Sequence, residues 1–159
     1  MSLAAAAAWL AEHAPAVAVI DGHASTATVA DVAAALGVAP ARIAKTLCLR
    51  AGATAMLIVT RGDARLDNRK FKAEFGARPR MLGGDETLAL TGHEPGGICP
   101  FGLATPLAVY CDVSLQAFAT VFPAAGSRTS SIEIAPERLA ELVAERWVDV
   151  CSLSESLGA

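Results

Sequence analysis

The feature that most constrains the fold is a pair of apolar segments separated by a short turn. Residues 45–50 (KTLCLR) and 55–60 (AMLIVT) both have the composition of strands, and Ala51-Gly52 between them favours a turn. The pattern predicts a β-hairpin. Because helical segments and further strands alternate along the rest of the chain, the sheet that contains this hairpin is expected to be mixed rather than purely parallel.

Helix signals surround this hairpin. Thr28, with Asp31 three residues later, is a capping-box-like helix start, and Gly37 is a left-handed helix end. Asp67 and Gly76 enclose another helix in the same way. The other predicted helical segments are a helix through the alanine run that ends before Pro15, a short helix at 85–90, a helical turn at 114–118 and a last helix that begins at Pro136. The other predicted strands lie at 16–20, 107–111, 131–134 and 147–151 and near Thr120.

Length and composition predict one domain over residues 1–159. Hydrophobic residues make up 53% of the chain and aromatic residues only 5%, so the core must consist mainly of Val, Leu, Ile and Ala. That composition suits stacked layers of sheet and helix, and the fold class is expected to be α/β with helices flanking the sheet. The apolar stretch 3–10 is too short to span a bilayer and has no basic region before it, which predicts a cytoplasmic protein without membrane contact.

The four cysteines and the charges add two expectations. The cysteines show no metal-binding spacing, so they are predicted to be reduced thiols in the core, with no metal site. The chain has a net charge of −3, yet residues 61–80, the basic segment, hold seven basic residues against three acidic ones. Arg61, Arg65 and Lys72 in it are candidates for contact with phosphates of a nucleic acid. The alternative is an ordinary solvated surface.

Two places on the chain could carry chemistry. Lys45 opens an apolar strand, from which a lysine can project into a cleft, although an edge lysine that only reaches solvent is the alternative. The second place is the glycine loop, residues 92–102. Its Gly96-Gly97 pair allows the backbone to approach a ligand and to direct N–H groups at a developing oxyanion, although a structural turn would have the same composition.

Two further side chains in this loop are candidates. His93 precedes the glycine pair by three residues and is placed to line a site there. Cys99 is a conceivable nucleophile, but no partner base is evident. The chain has no GxSxG, P-loop or HExxH motif, which argues against the common serine hydrolases, nucleotide-binding enzymes and zinc proteases that carry them.

The segments ADVAAALGV, RIAKTLCLR, GDARLD, LTGHEPGGICPFG, AVYCD and IEIAPERLAEL occur together and in this order. With them, residues 10–151 resemble the YbaK/EbsC-type family, free-standing relatives of the editing domain inserted in bacterial prolyl-tRNA synthetase. The lysine after Ile43-Ala44 and the later Gly-x-x-x-Pro loop are specific only in combination. The resemblance implies a single compact α/β domain with a mixed, partly barrel-like sheet flanked by helices.

The resemblance also implies an activity and its residues. The activity is hydrolysis of the ester of a mischarged aminoacyl-tRNA, with no cofactor, and the implied substrate is tRNA(Pro) carrying a small non-cognate amino acid. The implied partners are the acceptor end of tRNA and, as a candidate, prolyl-tRNA synthetase. The residues that match the family are Lys45, Gly96, Gly97 and Pro100 as catalytic positions, with Ile98, Cys99, Asp112 and His93 beside the substrate.

The mechanism implied in this way is simple. Loop N–H groups around Gly97 hold the carbonyl oxygen, and Lys45 anchors the terminal nucleotide or the aminoacyl group. The nucleophile is either a water molecule assisted by the substrate's own ribose hydroxyl or, as in some relatives, the thiol of the substrate. The match departs from the cysteine-specific members at FPAAGS, where Ala124 stands in place of a serine. Two other functions remain open: a module that binds tRNA ends without hydrolysis, and an esterase for small molecules.

Overall fold

The structure, a computed structural model, describes residues 2–23, 28–94 and 96–153. Within these ranges the α-helices are α1 (Ser2–His13), α2 (Val29–Leu36), α3 (Asn68–Phe75), α4 (Gly84–Thr91) and α5 (Pro136–Val143). The strands are β1 (Ile20–Asp21), β2 (Ile43–Ala51), β3 (Thr54–Arg61), β4 (Ala64–Leu66), β5 (Pro79–Met81), β6 (Ala108–Asp112), β7 (Phe122–Pro123), β8 (Ser130–Ser131), β9 (Arg146–Val148) and β10 (Cys151–Leu153). Short 3₁₀ helices occupy Pro40–Arg42 and Val113–Ala117.

The central sheet has six strands in the order β5-β2-β3-β6-β9, with β7 also paired to β2. β2 and β3 form the predicted antiparallel hairpin, and Lys45 lies opposite Thr60 in its register. β6 runs parallel to β3, and β7 runs parallel to β2. The prediction of a mixed sheet is therefore confirmed. In the described residues the sheet is open between its edges β5 and β9, and two small sheets, β1-β8 and β4-β10, lie outside it.

Helices cover both faces of this sheet, which confirms the α/β class. One core cluster joins Val59 and Cys111 to Leu10 of α1 and Leu139 of α5. A second core cluster joins Ile58 and neighbouring strand residues to Phe71 of α3. Neighbouring residues of β3 are fully buried on opposite faces because this strand is central and each face is covered by a helix layer. All four cysteines are buried free thiols, as predicted.

The local signals for helix ends are confirmed. The Thr28 hydroxyl accepts a hydrogen bond from Asp31 N at 3.1 Å, and Gly37 ends α2 with φ 71°. Asp67 accepts from the first backbone N–H groups of α3, at 3.0 Å each, and Gly76 ends that helix with φ 80°. Each cap satisfies backbone groups that a helix end would otherwise leave without a partner.

Some short strands differ from the prediction. Of residues 16–20 only Ile20 is in a strand, because Val17 and Val19 pack on the core from an irregular segment and so produce a strand-like pattern without a ladder. The predicted strand at 147–151 is two strands, β9 and β10, which belong to different sheets. β4 and β5 were not predicted, since their pairing depends on distant partners.

The glycine loop lies between α4 and β6 and packs against α1. A β-carbon at Gly102 would lie 2.4 Å from the carbonyl oxygen of Ala5, so only glycine fits there. The Phe101 ring, fully buried, lies 5.6 Å from the Trp9 ring of α1. The first helix therefore supports the loop from behind.

Candidate functional site

A pocket of about 200 Å³ opens where the beginning of β2, the beginning of α2 and the glycine loop meet. Of the residues proposed from the sequence, Lys45, Gly96 and Ile98 line this pocket together. The other lining residues are Thr28, Val29, Val32, Ile43, Ala44, Thr46 and Ala124. The pocket wall is thus mostly apolar, with one ammonium group and two hydroxyl groups.

Lys45 is half-buried at the start of β2. Its Nζ donates a hydrogen bond to the carbonyl oxygen of Ala64, 2.5 Å away. Burial lowers the pKa of the ammonium group, and the negative charge of Asp63 nearby opposes that effect. An ammonium group has three N–H donors, so this contact leaves two that can bind a ligand.

Thr46 is a feature of the pocket that the sequence did not indicate. Its hydroxyl oxygen is buried, and no partner for it is found among the described residues. A buried hydroxyl group without a partner costs about 1–3 kcal/mol, so a ligand that hydrogen-bonds to it would recover that cost. Nothing in the sequence distinguishes this threonine from an ordinary strand residue.

The glycine loop departs from the predicted arrangement at Gly97. The Gly97 N–H donates to the carbonyl oxygen of Glu94 at 3.0 Å, so it is used within the loop. A β-carbon on Gly97 would lie 2.7 Å from the backbone N and Cα of Ser127, which shows that Gly97 is packed against the backbone of the segment around Ser127. The loop residues that line the pocket are Gly96 and Ile98 instead, and their amides are the better candidates for holding an oxyanion.

His93 and Cys99 belong to the glycine loop, but their side chains do not line the pocket. Both are fully buried. The His93 Nε2–H donates to the carbonyl oxygen of Phe101 at 2.7 Å, and the Cys99 Sγ lies 3.5 Å from the same nitrogen. Burial lowers the pKa of His93 and raises the pKa of Cys99 to about 12. Cys99 is therefore a neutral thiol at ordinary pH, which makes it a poor nucleophile.

Asp112 and Pro100 are also buried away from the pocket lining. The Asp112 carboxylate accepts hydrogen bonds from Ser114 N at 2.9 Å and from Val150 N at 2.8 Å. These bonds cap a 3₁₀ helix and tie β6 to the connection between β9 and β10. The carboxylate is thus occupied by the backbone, and we assign it a structural role.

The three basic candidates have different surroundings. Arg61 is paired with Asp63, with Nε 2.6 Å from Oδ1, and its guanidinium carbon lies 4.9 Å from the centre of the Phe118 ring. Arg65 and Lys72 are exposed. Arg65 follows Ala64, the residue whose carbonyl oxygen accepts the hydrogen bond from Lys45.

Two kinds of feature are absent from the described residues. In the described ranges, no group of three or more His, Cys, Asp or Glu side chains is placed to hold a metal ion. Of the helices in those ranges, none is long and apolar enough to span a membrane.

Comparison with known proteins identifies the fold and then the family. A solved structure described as "Crystal structure of a putative trans-editing enzyme for prolyl tRNA synthetase" matches with a TM-score of 0.87 at 28% identity, over 95% of this chain and 97% of that one. The aminoacyl-tRNA editing domain family matches residues 23–142. The chain belongs to this family, which confirms the resemblance found in its motifs and, at the level of the family, the expected class of hydrolase.

Two relatives have known sequences of similar length. The protein YwhH of Bacillus subtilis (strain 168), itself without an assigned function, is 52% identical over 129 residues, which are 80% of this chain and 82% of YwhH. A protein of Enterococcus faecalis (strain ATCC 700802 / V583), named "Putative Cys-tRNA(Pro)/Cys-tRNA(Cys) deacylase EbsC", is 31% identical over 121 residues, which are 75% of this chain and 74% of EbsC.

Proposed function

We propose that this chain hydrolyses the ester between a small, apolar non-cognate amino acid and the terminal ribose of tRNA(Pro). The observation that carries the proposal is the meeting of Lys45, Gly96 and Ile98 around one pocket of about 200 Å³. Such a pocket has room for an aminoacyl group but not for the stem of a tRNA. The names of the relatives support the substrate class, and the site of action we propose is the cytoplasm, where tRNA is charged.

The pocket lining supports a small apolar side chain as the group that is removed. Val29, Val32, Ile98 and Ala124 present only carbon atoms at their side chains. These four side chains give a hydroxyl or thiol group no partner, and burial of an unpaired polar group is unfavourable. Alanine is the proteinogenic amino acid that fits this description best. The cysteine named for the relative EbsC is the main alternative within the same reaction.

The proposed mechanism uses orientation and oxyanion stabilisation. The ester carbonyl lies against the amides of Gly96 and Ile98, and the Lys45 ammonium and the Thr46 hydroxyl bind the aminoacyl group or the terminal ribose. A water oxygen attacks the carbonyl carbon, and the bond from that carbon to the ribose oxygen breaks. The ribose oxygen takes one proton of the attacking water, and the amino acid leaves as a carboxylate after it releases the other proton to solvent.

The proton has to be moved by the substrate in this scheme. Among the described residues that line the pocket, Lys45 is the only titratable side chain, and it is not a carboxylate or imidazole base. The neighbouring hydroxyl group of the terminal ribose is close to the ester in every aminoacyl-tRNA. It can accept the proton of the attacking water while it passes its own proton to the leaving oxygen.

A deacylation assay tests the proposal directly. The substrates are tRNA(Pro) charged with alanine, cysteine, serine or proline, and the readout is the rate of ester hydrolysis above the uncatalysed rate. We expect alanyl-tRNA(Pro) to be hydrolysed fastest and the cognate prolyl-tRNA(Pro) to remain intact. Lys45→Ala should lower kcat/KM for the best substrate by on the order of 10²-fold, because the ester is then no longer held in the reactive position.

Arg138→Ala is the control, because Arg138 is paired with Glu141 outside both the pocket and the basic segment, and its loss should leave the rate unchanged. Circular dichroism on each variant separates unfolding from loss of chemistry. Binding of charged tRNA without hydrolysis would show a binding module, and hydrolysis of simple amino-acid esters alone would show a small-molecule esterase. Wild-type turnover by Lys45→Ala would remove Lys45 from the mechanism.

A further inference from the structure

Arg128 lies against Gly96, which is part of the wall of the site pocket. Gly96, which lines the pocket, has φ 93° and no side chain. A β-carbon at this position would lie 2.6 Å from the Cγ and 2.7 Å from the Nε of Arg128. The Arg128 side chain therefore runs directly across the backbone of Gly96. The residue as a whole remains exposed to solvent.

The segment that carries Arg128 is held in place by its neighbours. Ser127 Oγ lies 2.7 Å from Ser130 Oγ and accepts a hydrogen bond from Thr129 N at 3.2 Å. The backbone of Ser127 also packs against Gly97. The glycine loop and the segment 126–130 thus form one packed unit, and the backbone from which the Arg128 side chain extends over Gly96 is held by that packing.

We propose that Arg128 binds the 5′ phosphate of the terminal nucleotide of the substrate. The inference rests on the proposed function, in which the ester on the terminal ribose lies at Gly96 and Ile98. The phosphate of the same nucleotide is then at the edge of the pocket, where Arg128 meets solvent. A guanidinium group suits this ligand because its fork of N–H donors can contact two phosphate oxygens at once. Neither the composition nor the motifs of the sequence point to this residue.

The role of Arg128 differs from that expected of the basic segment. Contacts by Arg65 or Lys72 would be with phosphates farther along the acceptor end and would add affinity without positioning the ester. A phosphate bound at Arg128 is one ribose away from the reacting carbonyl. Its binding would place the ester in the pocket, so its loss should appear even with a substrate of a single nucleotide.

The test compares two minimal substrates, 3′-alanyl-adenosine and 3′-alanyl-adenosine 5′-monophosphate, which differ by the one phosphate. We expect the wild-type protein to prefer the phosphorylated substrate by about tenfold in kcat/KM, the effect of one charge-assisted contact. Arg128→Gln keeps the methylene groups that pack on Gly96 and removes the charge. It should abolish the preference by raising KM for the phosphorylated substrate while kcat is kept, and Arg128→Lys should restore part of it.

Arg138→Gln is the control, since Arg138 is an exposed arginine of α5 that pairs with Glu141. It should keep the full preference. An Arg128→Gln variant that also keeps the full preference would overturn the inference while the proposed function stands. If the wild-type protein hydrolyses neither substrate nor charged tRNA, the proposed function fails. In that case the affinities of the wild type and of Arg128→Gln for AMP and for adenosine test the phosphate contact. If both proteins prefer AMP over adenosine by the same factor, Arg128 does not bind the phosphate.

Discussion

At the scale of single residues, the hydrogen-bonding groups of the site divide into those already used within the protein and those still able to bind a substrate. Lys45 uses one N–H on Ala64, and the Thr46 hydroxyl has no partner among the described residues. Gly97 uses its N–H on Glu94. The groups that remain for a substrate are therefore on Lys45, on Thr46 and on the pocket-lining part of the glycine loop, and they surround a mostly apolar space.

Gly97→Ala should destabilise the protein and lower its activity together. The added methyl group would meet backbone atoms of Ser127 at 2.7 Å, and backbone cannot move aside as a flexible side chain can. Overpacking of this kind costs about 1–3 kcal/mol. Urea denaturation measures the loss of stability, and the deacylation rate per folded molecule measures the displacement of the pocket wall.

Gly83→Ala is the control for this glycine, because a β-carbon there has no neighbour within 4 Å and φ is −72°. Gly83 is the N-cap of α4, so this variant should lose only the preference of that position for glycine over alanine, clearly less than Gly97→Ala loses. Equal stability of Gly97→Ala and Gly83→Ala would show that the contact with Ser127 is not tight in solution.

His93 should make stability depend on pH on the acid side of neutrality. Burial holds the pKa of His93 in the folded protein below its ordinary value of 6.5. Above that value both states are neutral at His93. As pH falls below it, the unfolded chain binds a proton that the folded protein excludes, so the free energy of unfolding decreases until the folded-state pKa is reached.

Urea midpoints at about pH 7.5 and about pH 5.5 measure this effect, with the wild type compared with His93→Asn and His13→Asn. His93→Asn should lower stability at both pH values, because the hydrogen bond to Phe101 is lost, and should flatten the change between them. His13→Asn, at an exposed helix end, should keep the wild-type change. An unchanged slope in His93→Asn would assign the pH dependence to other groups.

The sequence identified part of this site for a physical reason. Lys45, Gly96 and Ile98 were found because a lysine and a later glycine loop in this order resemble the motifs of the family. His93 and Cys99 were selected because they lie in the glycine loop, and Asp112 because it matches an acidic position of the family. Whether such a side chain turns into the pocket or into the core depends on packing partners such as Phe101 and Val150, and these contacts are not encoded in local spacing.

At the scale of elements, α2 connects helix stability to the pocket. Val29 and Val32 of this short helix line the pocket, and Thr28 caps it. An eight-residue helix has little stability of its own, so its cap matters. The small cluster of Ala33, Ile43 and Phe122 holds it to the sheet.

Thr28→Ala should cost about 1 kcal/mol through loss of the N-cap. It should also raise KM, because the helix that bears Val29 and Val32 is less well held. Asp67→Ala removes the equivalent cap of α3, which does not line the pocket, and should lower stability at unchanged KM. Thr28→Ser keeps the capping hydroxyl and should restore both properties. An equal rise of KM in Asp67→Ala would mean that global stability, and not α2, controls KM.

The elements that the sequence predicted well are those with local signals. The caps at Thr28 and Asp67 act within a few residues, and the β2-β3 hairpin needs one turn. β4 and β10 pair across a long separation, with Arg65 opposite Ser152, and nothing near either strand reveals the other. Short strands of this type follow from the complete fold.

At the scale of the whole molecule, we propose that the basic segment contacts the tRNA outside the pocket. Arg65→Glu with Lys72→Glu should raise KM for charged tRNA and leave hydrolysis of an aminoacyl-adenosine unchanged. Each lost phosphate contact should reduce the salt dependence of binding by about one unit of slope in a log–log plot. The measurement is KM for whole tRNA over a series of salt concentrations.

Arg138→Glu, on α5, is the control for a change of net charge alone. If the double variant has the same KM and salt slope as this control, the basic segment is a solvated surface and the tRNA approaches by another face. Because Arg61 is already paired with Asp63, its replacement should have a smaller effect on the slope than that of Arg65.

The contact between Gly102 and Ala5 bears on how this domain can be transplanted. The family match begins at residue 23, after α1, yet α1 presses on Phe101 and Gly102 at the end of the glycine loop. A domain truncated at the start of the family match and inserted into a synthetase would lose the packing of α1 against Phe101 and Gly102. A functional graft has to carry the first helix with it, although that helix contributes no residue to the pocket lining.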